Sequence, residues 1–279
     1  DDEEEDIETM FDVGRMLAAE PEPVVQHEFA YCGFTQRVGV LTETDRTAAG
    51  ATFAVQGHFL WHSAPVLAAF TEAAYRKALA DCPLPDPAEA ASTEDAVVAC
   101  LAPFLRRALV GPGAVRAAEL GSGAGLTGIV MAQAAGSRRP DHVRVLLTDH
   151  DAPVVELLRA NVGANSDAAR VCSVQTLDWR LALAPGGIRA SGALEGDWLG
   201  ACDLVFAADV LHRFDLYDAL FAAAAELLKP GCPLVLVSGL WRYAWDLAAP
   251  AAARAGFRVL TERRDDANQA VITLCVRSS

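Results

Sequence analysis

A glycine-rich stretch between a strand-like run and a helix-like run is the strongest chemical signal in the sequence. It reads Ala117-Ala-Glu-Leu-Gly-Ser-Gly-Ala-Gly-Leu-Thr-Gly128. Glycines permit a tight turn and let a ligand approach the backbone closely. The first N–H groups of the following helix have no partners within the helix and can bind a ligand. The stretch therefore predicts a loop that binds a nucleotide-like cofactor.

The residues around this loop distinguish between cofactor classes. A dinucleotide-binding loop follows the pattern G-x-G-x-x-G, but Leu126 stands at the third glycine position. Glu119, two residues before the first glycine, would repel a diphosphate and attract a cofactor that is positively charged at this end. S-adenosylmethionine has an ammonium group, a sulfonium group and no phosphate, so the stretch favours it over a nicotinamide dinucleotide. A glycine-rich turn without a ligand is the alternative.

Acidic and aromatic residues end the next two predicted strands. Asp149 follows the strand-like run Val143–Thr148, where a carboxylate can accept hydrogen bonds from ribose hydroxyls. Its alternative role is to cap the next helix, for which Asp151 competes. Asp178 and Trp179 close the third strand, where they could bind an adenine amino group and cover its ring. Trp179 could equally be a core residue.

Asp209 and His212 follow the fourth predicted strand. In a doubly wound sheet, ligands bind at the carboxyl ends of the strands where the strand order reverses, beside the first and fourth strands. Methyl transfer to nitrogen requires an aligned amine and a route for its proton. Asp209 could orient the amine, and His212 could orient it or take its proton. The alternatives are a structural cap for Asp209 and a loop histidine without a role for His212.

The elements that must position these residues alternate in type. Seven strands are predicted, at Arg116–Leu120, Val143–Thr148, Arg170–Leu177, Asp203–Ala207, Leu234–Val237, Phe257–Glu262 and Ala270–Val276. Helix-like runs follow the first, second, fourth and fifth strands, and a polar turn joins the last two. The pattern predicts an α/β fold: a doubly wound, mostly parallel, seven-stranded Rossmann-like sheet with a C-terminal antiparallel hairpin.

The region before the sheet contains other patterns. Short alternating runs over Val24–Val55 predict β-hairpins. A helix is expected over Val66–Ala80, and the capping box Ser92–Asp95 precedes another. We therefore divide the chain into an acidic disordered tail over 1–23, an N-terminal β-hairpin extension over 24–60 and the sheet domain over 61–279.

Composition and charge exclude several classes of protein. The 279 residues are 52% hydrophobic and 22% charged, which is typical of a globular protein. The net charge of −14 argues against a protein that neutralises nucleic-acid phosphates. Seven of the first eight residues are acidic, as in a solvated tail or a contact arm for a basic partner. The uncharged stretches Thr47–Thr71 and Leu120–Ser137 contain polar residues or several glycines, so we expect no membrane span.

Cysteine and histidine spacing indicates neither disulfides nor a metal site. The seven cysteines are widely spaced and form no C-x-x-C motif, which fits reduced thiols. His58 and His62 have helical spacing but lack a third ligand nearby, so we predict no metal. The acidic N-terminus is unlike a secretory signal. We expect a monomer in the cytoplasm, or alternatively the nucleus.

Taken together, these residues resemble the class I, seven-strand methyltransferases, and in particular the family 16 protein-lysine methyltransferases. Within that group, the sequence also resembles the subgroup described as nicotinamide N-methyltransferase-like or elongation factor 1A N-terminal methyltransferases. The resemblance covers about Val55–Arg277. It rests on the glycine loop and on three further segments: Gly57-His-Phe-Leu-Trp61-His-Ser-Ala-Pro-Val-Leu67, Leu147-Thr-Asp-His-Asp-Ala-Pro153 and Leu177-Asp-Trp179.

The resemblance implies which residues carry the function. Cofactor contacts are implied at Trp61, Glu119, Gly121, Ser122, Gly123, Asp149, Trp179 and Ala208, and a substrate-amine site is implied near Asp209. Two positions depart from the family pattern: His212 replaces a frequent aromatic residue, and Arg180 replaces a frequent Gly or Glu.

These observations lead to one main functional hypothesis. We expect an S-adenosylmethionine-dependent N-methyltransferase that modifies a lysine or N-terminal amine of a protein, for which a translation elongation factor is one candidate. The alternatives are a small-molecule (nicotinamide-like) N-methyltransferase, an inactive S-adenosylmethionine-binding scaffold and an NAD oxidoreductase.

Overall fold

The computed structural model describes residues 24–41, 58–80, 83–84, 86, 89–240 and 245–278. The predicted acidic tail lies outside these residues, as does the part of the predicted hairpin extension over 42–57. Within the described part, strands β1 (Val24–Tyr31) and β2 (Phe34–Leu41) pair antiparallel. This confirms an N-terminal hairpin, while the domain limits at residues 23 and 60 stay predictions.

A seven-stranded sheet forms the centre of the molecule. Its strands are β3 (Val115–Leu120), β4 (Val143–Asp149), β5 (Cys172–Thr176), β6 (Leu204–Ala208), β7 (Pro233–Gly239), β8 (Phe257–Asp265) and β9 (Ala270–Arg277). The spatial order is β5-β4-β3-β6-β7-β9-β8. The first five strands in this order are parallel, and β9 is antiparallel to both β7 and β8. The predicted doubly wound sheet with a C-terminal hairpin is therefore confirmed.

Helices lie between most of the strands along the chain. They are α1 (Ser63–Leu79), α2 (Thr93–Val110), α3 (Leu126–Gly136), α4 (Ala152–Gly163), α5 (Ser166–Ala169), α6 (Gly187–Ser191), α7 (Tyr217–Leu227) and α8 (Trp245–Arg254). Short 3-10 turns occupy Pro140–His142, Trp179–Leu183 and Phe214–Leu216.

Two predicted helix caps have different outcomes. Ser92 Oγ accepts the Asp95 backbone N–H at 3.0 Å and so caps α2 as predicted. Asp151 occupies the N-cap position of α4, but its side chain makes no capping hydrogen bond. The helix therefore begins where the sequence predicts, but the expected side-chain cap from Asp151 is absent. Asp149 orders the residues just before the helix, because its Oδ1 accepts the N–H groups of His150 and Asp151.

Helices cover both faces of the sheet and so bury both sides of its strands. Val115 and Ala117 of β3 join a core with residues of α1, α2 and α3, whereas Ala118 and Leu120 join a core with residues of α7 and α8. This alternation follows from the two-residue period of a strand. The chain proceeds outward from β3 to β5 on one side and from β6 to β7 on the other. The strand order thus reverses between β3 and β6, which opens a crevice at their carboxyl ends.

The N-terminal hairpin docks on the outside of this layer through buried amide groups. Gln36 of β2 donates from Nε2 to Gln133 Oε1 of α3 at 2.7 Å, and both side chains are buried. Asn161 and Asn165 bind the β2 backbone. Since buried amides need partners, these contacts define one docking position for the hairpin.

Candidate active site

A cavity of about 260 Å³ lies at the carboxyl ends of the central parallel strands. Its walls include nine of the eleven site residues predicted from the sequence: Trp61, Gly121, Gly123, Asp149, Asp178, Trp179, Ala208, Asp209 and His212. Glu119 and Ser122 do not line it. The fold thus gathers residues from the ends of β3, β4, β5 and β6 around one space, as a doubly wound sheet requires.

The glycine loop after β3 forms one wall of the cavity. Gly121 has φ +66°, and a Cβ atom built on it would lie 2.9 Å from Val210 Cγ1 and 3.2 Å from Trp179 Cζ2. Any side chain at this position would therefore be strained and would crowd the cavity wall. Ser122 holds the loop from behind, because its N–H donates to the Thr148 carbonyl and its Oγ accepts the Thr148 N–H. This structural use of Ser122 explains why it does not face the cavity.

Glu119 lies beneath the loop, on the face of the sheet that α3 covers. It is 2% exposed, and its Oε2 has no hydrogen-bond partner. A Cβ atom on Gly128 of α3 would come within 2.5 Å of this oxygen, so glycine makes room for the carboxyl group. Burial raises the pKa of Glu119 to about 8, and weak contacts with the Ser122 side chain and the Gly128 backbone only partly oppose that rise.

This placement corrects the electrostatic argument made from the sequence. A carboxyl group with a pKa of about 8 is mostly uncharged at neutral pH, and it does not line the cavity. Negative charge near the ligand must therefore come from other residues. A direct contact between Glu119 and a cofactor stays a prediction.

Asp149 joins the glycine loop to the start of α4. Its Oδ2 accepts the Gly123 N–H at 3.2 Å, and its Oδ1 accepts the N–H groups of His150 at 2.7 Å and Asp151 at 3.3 Å. The hydrogen bond to Asp149 raises the pKa of the neighbouring His150 imidazole. Asp149 thus fixes the local backbone while it faces the cavity, and its contact with ribose hydroxyls stays a prediction.

The turn after β5 supplies an aromatic wall with a polar edge. Trp179 packs over Gly121, and its buried Nε1 has no hydrogen-bond partner. Asp178 is bound by Arg180, whose Nη2 lies 2.6 Å from Asp178 Oδ2. This interaction lowers the pKa of Asp178 and keeps its carboxylate charged.

Asp209 at the end of β6 is held by backbone groups from distant parts of the chain. Its Oδ2 accepts the Ser63 N–H at the start of α1 at 3.1 Å, and its Oδ1 accepts the Gly239 N–H at the end of β7 at 3.0 Å. Asp209 also has φ +57°, a left-handed conformation that is costly for a residue other than glycine. The carboxylate therefore links the starts and ends of three elements, which is close to the structural role considered as the alternative for Asp209. Asp209 also lines the cavity.

His212 is oriented by the backbone of Asp209. Its Nδ1 lies 2.9 Å from the Asp209 carbonyl oxygen. Since a carbonyl can only accept, Nδ1 carries a proton, and in the neutral ring Nε2 is the basic nitrogen. The strained Asp209 backbone thus selects the tautomer of a histidine in the cavity wall.

Several residues of the cavity wall were not predicted from the sequence. They are His150, Asp151, Val154, Arg180, Val210, Arg213 and Leu216. Most follow a predicted site residue by one or two positions, and that proximity was the only available signal. Arg213 pairs with Asp215, just as Arg180 pairs with Asp178.

The charges in the cavity wall are unbalanced. The wall carries four carboxyl groups (Asp149, Asp151, Asp178 and Asp209), the guanidinium groups of Arg180 and Arg213 and the His150 imidazole, whose pKa is raised. The carboxyl groups still outnumber the cationic groups, which fits a cationic ligand better than a diphosphate. Of the acidic residues predicted for the site, Asp149, Asp178 and Asp209 line the cavity and Glu119 does not.

In the part of the chain that the structure describes, no group of three or more His, Cys, Asp and Glu side chains could hold a metal ion. His62 Nε2 lies 2.5 Å from the Asn268 carbonyl oxygen, which it contacts as a donor. Among the described helices, none has the length and apolar character needed to cross a bilayer.

The fold and the site define an α/β protein with a cofactor-type cavity at the switch point of its sheet. The model of the lysine methyltransferase family matches residues 51–244. The chain belongs to this family, which confirms the resemblance noted from the sequence.

Individual relatives show more limited similarity. The Danio rerio protein N-lysine methyltransferase METTL21A is 34% identical over 155 residues, which cover 54% of this chain and 60% of the relative. The chain thus spans about three fifths of that relative's length. A CurJ carbon methyltransferase structure is 19% identical with a TM-score of 0.46, covering 61% of this chain and 50% of the other. A cofactor-bound structure of Rv0187 from MTB is 22% identical with a TM-score of 0.44, covering 77% and 91%.

Proposed function

We propose that the protein is an S-adenosylmethionine-dependent N-methyltransferase that modifies a lysine side chain of a protein substrate. The observation that carries the proposal is the two-part cavity wall. The glycine loop, Asp149 and Trp179 form one part, and the loop from Asp209 to His212 forms the other. Membership of the lysine methyltransferase family supports a protein substrate over a small molecule.

The charge of the cavity wall fits the proposed cofactor. Its excess of carboxylates suits a ligand with ammonium and sulfonium groups. By their placement, Gly121, Gly123, Asp149 and Trp179 would hold the cofactor. Once bound, S-adenosylmethionine supplies a methyl group on a positively charged sulfur that is already activated for displacement.

The protein's task is then to prepare the amine. A lysine ammonium must lose a proton before its nitrogen can attack. His212 Nε2 is the acceptor we assign, because Nδ1 is committed to the Asp209 carbonyl. Trp61, Val210 and Leu216 contribute apolar surface to the wall, which removes water from the amine and lowers its pKa. Asp209 acts as a positioning residue that sets the orientation of His212.

We also propose that the protein resides in the cytoplasm. The six cysteines in the described residues are free thiols, which suits a reducing compartment. The monomeric state stays a prediction.

Transfer of a labelled methyl group tests the proposal directly. The protein is incubated with methyl-labelled S-adenosylmethionine and cell extract, and labelled bands are mapped by mass spectrometry. We expect label on a lysine of a protein. Label confined to small molecules, on a protein N-terminus or absent altogether would contradict the proposal.

A pair of glycine variants provides a matched control for that experiment. Gly121 and Gly113 both have positive φ, but only a Cβ atom at Gly121 would meet the cavity wall; Gly113 has open space. Both substitutions by alanine therefore strain the backbone similarly. We expect Gly121→Ala to abolish labelling and Gly113→Ala to retain it.

A further inference from the structure

The buried side chain of Asn161 on α4 links the N-terminal hairpin to the glycine loop. Its Oδ1 accepts the Gly39 N–H of β2 at 2.8 Å, and its Nδ2 donates to the Gly39 carbonyl at 3.0 Å. The same Nδ2 also donates to the Ala124 carbonyl at 2.8 Å. Asn161 is 1% exposed. One amide group thus holds backbone from two segments that are far apart in the sequence.

The Ala124 carbonyl lies at a sensitive place in the loop. Its flanking residues, Gly123 and Gly125, have φ values of +52° and +92°, so they would rotate easily without external contacts. Gly123 lines the cavity, and Gly125 is the N-cap residue of α3. A fixed Ala124 carbonyl therefore restrains both the peptide that faces the cavity and the start of the helix behind it.

Gly39 brings the backbone of the hairpin close to Asn161. A Cβ atom on Gly39 would lie 2.6 Å from Val24 Cγ1, 2.7 Å from Gln26 Nε2 and 3.1 Å from Asn161 Oδ1. The Val24 and Gln26 side chains are exposed and can turn away, so the contact with Asn161 is the one that an added methyl group would disturb. The hairpin, Asn161 and the loop thus form one continuous set of close contacts.

We propose that Asn161 is a positioning residue for the cofactor loop, and that through it the N-terminal hairpin controls how tightly the loop binds its ligand. The identity of that ligand as S-adenosylmethionine rests on the proposed function. Asn161 itself does not line the cavity. Its effect on binding must therefore pass through the backbone of residues 123–125.

Asn165 provides a control with almost the same chemistry. Its Oδ1 accepts the Arg37 N–H at 2.9 Å, and its Nδ2 donates to the carbonyls of Arg37 and Asn161 at 2.7 Å each. It is also buried. Both asparagines therefore bind one β2 residue through two hydrogen bonds and one further carbonyl, but that carbonyl belongs to the glycine loop only for Asn161.

The test compares Asn161→Asp with Asn165→Asp in the full-length protein. Each substitution keeps the shape of the side chain but turns its two donated hydrogen bonds into repulsion between a carboxylate and carbonyl oxygens. Calorimetry measures the Kd for S-adenosylmethionine. Hydrogen exchange of the amides of residues 123–127 in the ligand-free protein measures loop order, and thermal unfolding measures stability.

We expect both variants to lower Tm, but only Asn161→Asp to accelerate loop exchange and to raise the Kd by about tenfold or more, as the loss of a buried hydrogen bond implies. Equal Kd changes in the two variants, or unchanged loop exchange in Asn161→Asp, would overturn the proposal. If the aspartate variants do not fold, the paired alanine variants, Asn161→Ala and Asn165→Ala, are judged by the same criteria.

A variant on the hairpin side tests the coupling separately. Gly39→Ala should accelerate exchange of residues 123–127 and raise the Kd, although residue 39 contacts Asn161 rather than the loop. Unchanged exchange of these amides in Gly39→Ala would show that the hairpin does not control the loop. If the unmodified protein binds no S-adenosylmethionine, the proposed function fails, but the exchange data still decide the role of Asn161.

Discussion

Replacing Glu119 by glutamine removes a titratable group from the buried face of β3 while keeping the side chain's shape. Burial shifts the pKa of this carboxyl group from its ordinary value of 4.5 to about 8. Between these two values the unfolded chain has lost the proton and the folded protein retains it. The free energy of unfolding must therefore fall as the pH rises through this interval.

The size of this effect follows from the pKa shift. Each pH unit between the two pKa values costs about 1.4 kcal/mol. From pH 4.5 to pH 8 the loss approaches about 5 kcal/mol, and at pH 7 about 3 kcal/mol of it has occurred. The stabilising contribution of protonated Glu119 is thus fully present below pH 4.5 and is lost by about pH 8. Glutamine does not titrate, so the variant lacks this component.

Urea denaturation at several pH values measures the difference. Unfolding of the wild-type protein and of Glu119→Gln is followed by circular dichroism between pH 5 and pH 8.5, spaced by about half a unit to resolve the expected slope. The variant should gain stability relative to the wild type as the pH rises. Glu156→Gln, on the exposed side of α4, serves as the control and should show no such trend.

A pH-independent difference between Glu119→Gln and the wild type would refute the reasoning. It would mean that the carboxyl group is ionised in the folded protein at neutral pH. The charge at the base of the glycine loop would then have to be reconsidered.

Three further predictions concern the site and its support. Asp149→Asn should raise the Kd for S-adenosylmethionine, measured by calorimetry, about tenfold, because it removes a cavity carboxylate that also accepts the Gly123 N–H. An unchanged Kd would show that Asp149 does not bind the cofactor. His212→Phe should lower kcat about a hundredfold at neutral pH and remove a limb of the pH–rate profile, and an unaltered profile would contradict a proton acceptor at this position. Asp203→Ala should lower the free energy of unfolding by about 3 kcal/mol in urea titrations, because it leaves Lys229, Arg107 and the Arg116 N–H without their buried acceptor. A loss below about 0.5 kcal/mol would show that this network contributes little to stability.

Sequence patterns predicted the sheet well because the signals for it are local. Strand-like runs, the capping box at Ser92 and the glycine loop each depend on residues a few positions apart. Eight of the nine predicted site residues in the cavity wall lie there because the carboxyl ends of parallel strands meet at one edge, whereas Trp61 was implied by the family resemblance. That rule requires only the order of elements along the chain.

What sequence patterns missed depends on contacts between distant segments. The alternation along β3 places Glu119 on the same face as Val115 and Ala117, but only the packing of α3 shows that this face is closed at the glycine loop. The groups that bind Asp209 come from Ser63 and Gly239, which are 146 and 30 positions away. The sequence thus predicted that Asp209 lies at the cavity, but not which groups its carboxylate binds.

The same limit applies to the hairpin. Nothing local relates Gly39 to Asn161, which is 122 positions away, or to the loop that Asn161 contacts. The spacing of Asn161 and Asn165 by four residues was visible in the sequence. Only the structure shows that this spacing lets both side chains bind the backbone of β2.

The buried amides under the hairpin bear on how small a functional version of the protein can be. A truncated chain starting at residue 61 would keep every strand of the central sheet. It would also leave the Gln133, Asn161 and Asn165 side chains without the β2 groups they now bind. Because burying these amides without partners is costly, the hairpin and the sheet should melt in a single cooperative transition. We therefore expect the N-terminal hairpin to belong to the minimal folding unit, so that its removal lowers the stability of the sheet domain even without substrate.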